Sequence, residues 1–183
     1  MAKIILGFVG EIASGKGTAT EYLKKKYSAP VYRFSTMLRD VLQRLHLEIN
    51  RDNLQEISKL LRAKFGQDLM AKVVAKDVEK DSAPAIAIDG VRRIADIKYL
   101  KELPGFHLVY LTADEKIRYD RLVKRGENTD DKEKTFAQFQ KDQQAEAEQE
   151  ILATAKTAEF TINNNGTIEK LYQQIDDIIK KIK

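Results

Sequence analysis

Short apolar, β-branched runs alternate along the chain with segments whose apolar residues recur at helical spacing. The first kind falls at 3–9, 31–35, 85–89, 107–112 and 160–163 and predicts five strands. The second kind falls at 16–27, 37–45, 52–80, 94–103, 115–125, 134–157 and 167–182 and predicts the helices between and after them. Regular strand–helix alternation implies an α/β fold with a parallel sheet covered on both faces. Gly66 interrupts the long segment 52–80 and marks where it can divide into two helices. The polar stretch 126–134, "GENTDDKEK", lacks any apolar period and is expected to be a mobile loop. No internal repeat or Pro/Gly-rich linker breaks the chain, so residues 1–183 form one expected domain.

Composition narrows the class. With 43% hydrophobic and 33% charged residues the chain has the make-up of a globular domain. It contains no cysteine, which removes disulfide and thiolate chemistry and fits a reducing compartment, so a cytoplasmic location is expected. The apolar runs are too short to span a bilayer and no signal peptide is visible, so no membrane association is expected. The net charge of +4 is mild and the basic residues are dispersed. Lys180, Lys181 and Lys183 read as a solvated helix end, and no nucleic-acid partner is expected. His46 and His107 belong to no metal-ligand spacing, and zinc is not expected.

The strongest chemical signal is "GEIASGKGT". Gly10, Gly15 and Lys16 fit G-x-x-x-x-G-K directly after a predicted strand and opening a predicted helix. Small residues there let backbone N–H groups turn inward as an anion nest, the helix start adds a positive dipole end, and Lys16 brings a mobile charge. This is the design of a nucleoside-triphosphate site. Gly17 is unusual, because the residue after the lysine is ordinarily Ser or Thr, with its hydroxyl on Mg²⁺. Here the hydroxyl comes one place later, at Thr18.

At these residues the chain resembles the P-loop nucleoside-monophosphate kinase superfamily, adenylate kinase above all, whose loop reads G-x-x-G-x-G-K-G-T. Ala13 stands at the family's middle glycine, which is tolerable where the backbone is not left-handed. The resemblance implies a three-layer α/β/α sandwich with a five-stranded parallel sheet in the order 2-3-1-4-5. It also implies a helical acceptor lobe over about 36–80, a short lid over about 126–141, and ATP and Mg²⁺ as cofactors. Gly10, Ala13, Ser14, Gly15, Lys16, Gly17 and Thr18 would bind the nucleotide, with Thr18 near the metal.

Other segments extend the likeness. "FSTMLRDVL" aligns Ser35, Thr36 and Arg39 with the family's monophosphate site, where an arginine fork pairs the acceptor phosphate. "AIAIDGVRR" puts Asp89 at the end of a strand, where a carboxylate can hold Mg²⁺ through water. Arg92 or Arg93 then corresponds to the family's acceptor arginine, with Arg92 slightly favoured. The family's AMP-reading glutamine is missing, since Asp96 or Ile97 occupies its place. "DEKIRYDRLVKR" aligns Arg121 and Arg125 with the arginines that open the lid, and Arg118 lies on the same expected face. Three like charges there suit a polyphosphate among them.

The lid segment itself carries no arginine, only Lys132, Lys134 and Lys141. Such abbreviated lids resemble those of dephospho-coenzyme A kinase and adenylate kinase-related proteins. So does "AEFTINNNGT", where Asn164 and Gly166 either flank the adenine or simply form a turn before a helix. The resemblance implies phosphoryl transfer from ATP to a small phosphorylated acceptor such as a nucleoside monophosphate, in a monomer or small homo-oligomer. The alternatives are a dephospho-coenzyme A kinase-like hydroxyl acceptor and a non-catalytic ATP-binding switch or assembly factor.

Overall fold

The computed structural model describes residues 3–125, 132–143 and 146–183, with only the backbone of residues 51 and 146–148. Five strands form one parallel sheet: β1 (Ile4–Val9), β2 (Val31–Arg33), β3 (Ala85–Val91), β4 (Phe106–Thr112) and β5 (Phe160–Asn163). Their order is β2-β3-β1-β4-β5, as the resemblance implies. Strand β1 lies at the centre and every one of its side chains is buried, because it is paired on both edges and covered on both faces.

The alternation of side chains along β1 assigns the two cores. Ile4, Leu6 and Phe8 face α1 (Lys16–Tyr27) and α9 (Ile168–Ile182), meeting Ala19, Leu23, Leu171 and Ile175. Ile5 and Val9 face the opposite side, where α4 (Leu69–Lys80) supplies Val74, Ala75 and Val78 and α8 (Glu146–Ala155) supplies Ile151 and Ala155. Between them on that face, α5 (Ile94–Ile97) and a 3₁₀ turn at Leu100–Glu102 bury Ile97 and Leu100. This is a three-layer α/β/α sandwich.

Several expected segments divide. The stretch 52–80 becomes α3 (Arg51–Phe65) and α4, broken at Gly66, whose φ of +103° ends the first helix. The acceptor lobe expected over 36–80 divides with it. Helix α2 (Thr36–Arg44) and α3 stand over the sheet's edge, and none of the described side chains of α3 is fully buried. Helix α4, in contrast, packs into the core. The segment 94–103 is a short helix followed by the 3₁₀ turn, and 134–157 is α7 (Phe136–Asp142) followed by α8. The expected loop 126–134, and the lid over about 126–141 that contains it, lie outside the described residues over 126–131. The later part of that expected span is α7, opened by a capping box between Thr135 and Gln138. Helix α6 (Glu115–Arg125) has the predicted bounds.

Candidate functional site: a phosphate loop beside a basic cavity

The loop from β1 to α1 lies at the C-terminal edge of the sheet, where ligands of open α/β folds bind. Two of its glycines are required by close approach. A Cβ on Gly10 would lie 2.3 Å from the Leu111 carbonyl oxygen, and one on Gly15 would lie 2.2 Å from Asn164 Nδ2. Gly15 also sits at φ +109° as the residue before α1. Among the described residues, no atom beyond its chain neighbours and the backbone of its own helix lies within 4 Å of where a Gly17 Cβ would stand, so packing against the rest of the protein makes no demand for glycine there. Thr18 is exposed on the first turn of α1.

Ala13 departs from expectation. Its φ is +59°, so the left-handed conformation that the family's middle glycine serves is retained without the glycine. An L-residue there costs about 1–2 kcal/mol, partly offset by the smaller chain entropy that alanine loses on folding. Ala13→Gly should therefore stabilise the protein by about 0.5–1 kcal/mol, raising its melting temperature by a few degrees. A calorimetric scan that shows a lower midpoint would count against strain at this residue.

Lys16 bends back over the loop, its Nζ donating to the carbonyls of Gly10 at 2.5 Å and Glu11 at 2.9 Å. The Ser14 hydroxyl is fully buried without a hydrogen-bond partner. Asn164 is buried and tied inward: Nδ2 donates to the Ser14 carbonyl at 2.8 Å, and its own carbonyl accepts from Arg121 Nη2 at 2.8 Å. Arg121 keeps a second, buried Nη1 without a partner, and burial pushes its pKa down. Gly166 lies beside the Lys170 side chain, ahead of the Thr167 cap of α9. Arg125 is exposed at the end of α6.

Arg118 does not share one face with Arg121, which is half-buried, and Arg125, which is exposed. It is 6% exposed, and Nε donates to the Ala113 carbonyl at 3.1 Å while Nη1 donates to Gln143 Oε1 at 2.6 Å and to the Ile12 carbonyl at 3.4 Å. Its Nη2 stands 3.9 Å from Glu11 Oε1, and its guanidinium lies over the Phe139 ring. Arg118 thus joins the phosphate loop to α7. Glu11, unremarked in the sequence, is buried inside that loop with Oε2 lacking a partner.

On the other flank, β2 and β3 align Arg33 with Asp89, and Arg33 Nε pairs Asp89 Oδ2 at 3.1 Å. Beyond them opens a cavity of about 910 Å³ between α2, α3 and the loop after β3. Arg39, Lys59, Arg62 and Arg92 line it, and among the described residues no carboxylate does. Arg92, not Arg93, therefore reaches this cavity, while Ser35 and Thr36 stand one turn before its wall and are not part of the lining. The Arg93 side chain lies against Asp96, with Nε 3.9 Å from Oδ1. Asp96 is buried and accepts from the backbone N–H groups of Arg92 at 3.0 Å and Arg93 at 3.1 Å. The Thr154 hydroxyl donates to the Arg92 carbonyl, so this backbone is clamped from both sides. Asp96 is therefore a buried cap of this turn.

The sheet order, the anion loop at its central strand and the cavity beside it define a P-loop kinase-like fold of the nucleoside-monophosphate kinase type. The chain belongs to the AAA domain family, which it matches over residues 9–137. It is similar to the UPF0200 protein of Sulfurisphaera tokodaii, 28% identical over 178 residues and 97% of each chain. It is also similar to the UPF0200/UPF0201 protein of Archaeoglobus fulgidus, 27% identical over 182 residues. That match covers 97% of this chain but 55% of the relative, so the chain spans about half its length. Among solved structures, TT1252 from Thermus thermophilus superposes over the whole of both chains with a TM-score of 0.61 at 16% identity. Shikimate kinase from Acinetobacter baumannii in complex with shikimate superposes with a TM-score of 0.54 at 18% identity, covering 99% of this chain and 95% of that one. These structures share the fold. No helix among the described residues is long and apolar enough to cross a membrane.

Proposed function

We propose that this protein transfers the γ-phosphoryl group of ATP to a phosphate oxygen on a small phosphorylated acceptor of nucleoside-monophosphate size. The observation that carries this reading is the basic cavity beside the phosphate loop, lined among the described residues by four cations and no carboxylate. An alcohol acceptor needs a base near its hydroxyl, whereas a monophosphate is already an anion near neutral pH. Arg39 and Arg92 would hold the acceptor phosphate as planar forks.

The orphaned Ser14 hydroxyl and Arg121 Nη1, together with the glycines of the loop, fit a polyphosphate. ATP supplies the activated phosphoryl group. Lys16 exchanges the carbonyls of Gly10 and Glu11 for phosphate oxygens, and Arg121 and Arg125 neutralise charge on the lid side. Asn164 holds both the loop and Arg121, orienting them rather than reaching a base with its side chain. Among the described residues no cluster of three acidic or histidine side chains converges. Mg²⁺ would accordingly be held chiefly by phosphates, with Thr18 and, through water, Asp89 at its edge. The new P–O bond forms from an acceptor oxygen as the bond to ADP breaks, and no base is required.

Asp89→Asn should leave nucleotide affinity within about twofold and lower turnover by about tenfold or more, the usual cost of losing an outer metal partner. Wild-type turnover in that variant would take Asp89 out of the mechanism. The reading as a whole is tested by following ADP release from Mg²⁺-ATP across nucleoside monophosphates and dephospho-coenzyme A. Release that depends on a monophosphate supports it. Dependence on dephospho-coenzyme A alone would move the acceptor atom to a hydroxyl, and slow hydrolysis indifferent to any acceptor would make the protein a switch.

A further inference from the structure

The cavity holds more positive charge than one acceptor phosphate calls for. Arg39 and Arg92 approach it from α2 and from the loop after β3, and two further cations, Lys59 and Arg62, approach it from α3. Gln55, Ser58, Lys59 and Arg62 follow the i, i+3, i+4, i+7 rule of a single helix face, and all four line the cavity. A helix of this kind ordinarily turns its apolar stripe inward, yet α3 lines the cavity with a largely polar one.

Arg62 is also fixed in place. Its Nε donates to Ser58 Oγ at 3.3 Å and its Nη1 donates to the Gln67 carbonyl, which leaves Nη2 for a further acceptor. Burial lowers its pKa, and the neighbouring charge of Arg93 lowers it further. Asp96 lies close enough to oppose this, but its carboxylate is already engaged by the Arg92 and Arg93 amides. Among the described residues no carboxylate forms an ion pair with Lys59 or Arg62. A guanidinium held still and partly desolvated, with no carboxylate paired to it directly, costs free energy that a bound anion would return.

Resting on the phosphotransfer reading, we propose that the acceptor carries a second anionic group, a phosphate or carboxylate apart from the reacting phosphate, which Lys59 and Arg62 on α3 bind. The substrate class is then a doubly anionic, nucleotide-sized molecule, and α3 is the element that selects it.

The test is calorimetric titration of the full chain, its phosphate loop filled by a non-hydrolysable ATP analogue with Mg²⁺. Three probes are compared: AMP, adenosine 3′,5′-bisphosphate and N6-succinyl-AMP. The bisphosphate, the succinyl compound or both should bind at least about tenfold more tightly than AMP, the effect of one added charge-assisted contact. Which of them does so tells phosphate from carboxylate. In Arg62→Gln, and separately in Lys59→Gln at an exposed position, that preference should shrink to within about threefold, with the melting midpoint confirming a folded protein. Equal binding of all three probes, binding of none, or a preference untouched by both substitutions would overturn the proposal. If the preference holds but no acceptor supports ADP release, the phosphotransfer reading fails and the second anion site stands. If AMP is phosphorylated with no preference for the doubly charged probes, the reverse is true.

Discussion

Lys16→Ala should lose roughly 10²–10³-fold in turnover, the scale set by removing one preorganised donor from a transition state. The lysine now donates to the carbonyls of Gly10 and Glu11, both within its own loop. These are neutral acceptors, and phosphate oxygens compete well for an ammonium because charge-assisted hydrogen bonds are about twice as strong as neutral ones. On the proposed phosphotransfer reading, the ammonium would move with the phosphoryl group. Its removal costs charge neutralisation where negative charge gathers, while α1 still starts at the left-handed Gly15 and keeps its core contacts through Ala19 and Leu23. The melting midpoint should accordingly move by only a few degrees. Steady-state assays of acceptor-dependent ADP release, with a melting scan beside them, check both halves. Undiminished turnover would end the role assigned to the loop.

Much of this architecture was legible from residue order, for identifiable reasons. The bounds of α1, α6 and β5 fall where the apolar periods begin and stop. The phosphate loop was legible because its chemistry is local: glycines, one lysine and a helix start lie within eight residues. What depends on distant partners was not. Arg118 and Arg121 are three residues apart on one helix and look equivalent, yet a contact with Ile12, 106 residues away, takes Arg118 into the interior. Glu11 was overlooked because it stands at a position of the loop motif that tolerates any residue, although an acid in an anion-binding loop is itself a signal of a buried partner. The left-handed backbone at Ala13 is invisible in an alanine. Nothing in the local sequence distinguishes Arg62 from the other polar residues of 52–80, and only the placement of α2 and the loop after β3 opposite it makes that face a wall. The choice between Arg92 and Arg93 was likewise open in the sequence; in the fold the Arg93 side chain lies against Asp96 and Arg92 lines the cavity.

Arg118→Ala should cost about 3–5 kcal/mol, the usual penalty for removing one member of a buried charged pair, and lower the melting temperature by roughly 6–20 °C for a chain of this size. The guanidinium ties three places together: the end of β4 at Ala113, the phosphate loop at Ile12 and Glu11, and the end of α7 through Gln143 and Phe139. Its loss would leave the Glu11 carboxylate buried with no cation, and one of its oxygens already lacks a partner. Adding Glu11→Gln to Arg118→Ala should then recover about 1–3 kcal/mol, because a neutral amide is far cheaper to bury than an unpaired charge. Glu11→Gln alone should cost less than Arg118→Ala, since the arginine retains its three backbone and amide acceptors. The double-mutant cycle, measured by chemical denaturation, isolates the coupling between the two side chains. A strictly additive cycle would mean that Arg118 acts only through the carbonyls of Ala113 and Ile12 and the Gln143 amide. A midpoint for Arg118→Ala within about 2 °C of the parent would refute the buried clasp altogether, because even 1 kcal/mol moves the midpoint of a chain this long by about 2–4 °C. The same variant should weaken ATP binding as well, since the loop that receives the phosphates is the one the clasp holds to α7.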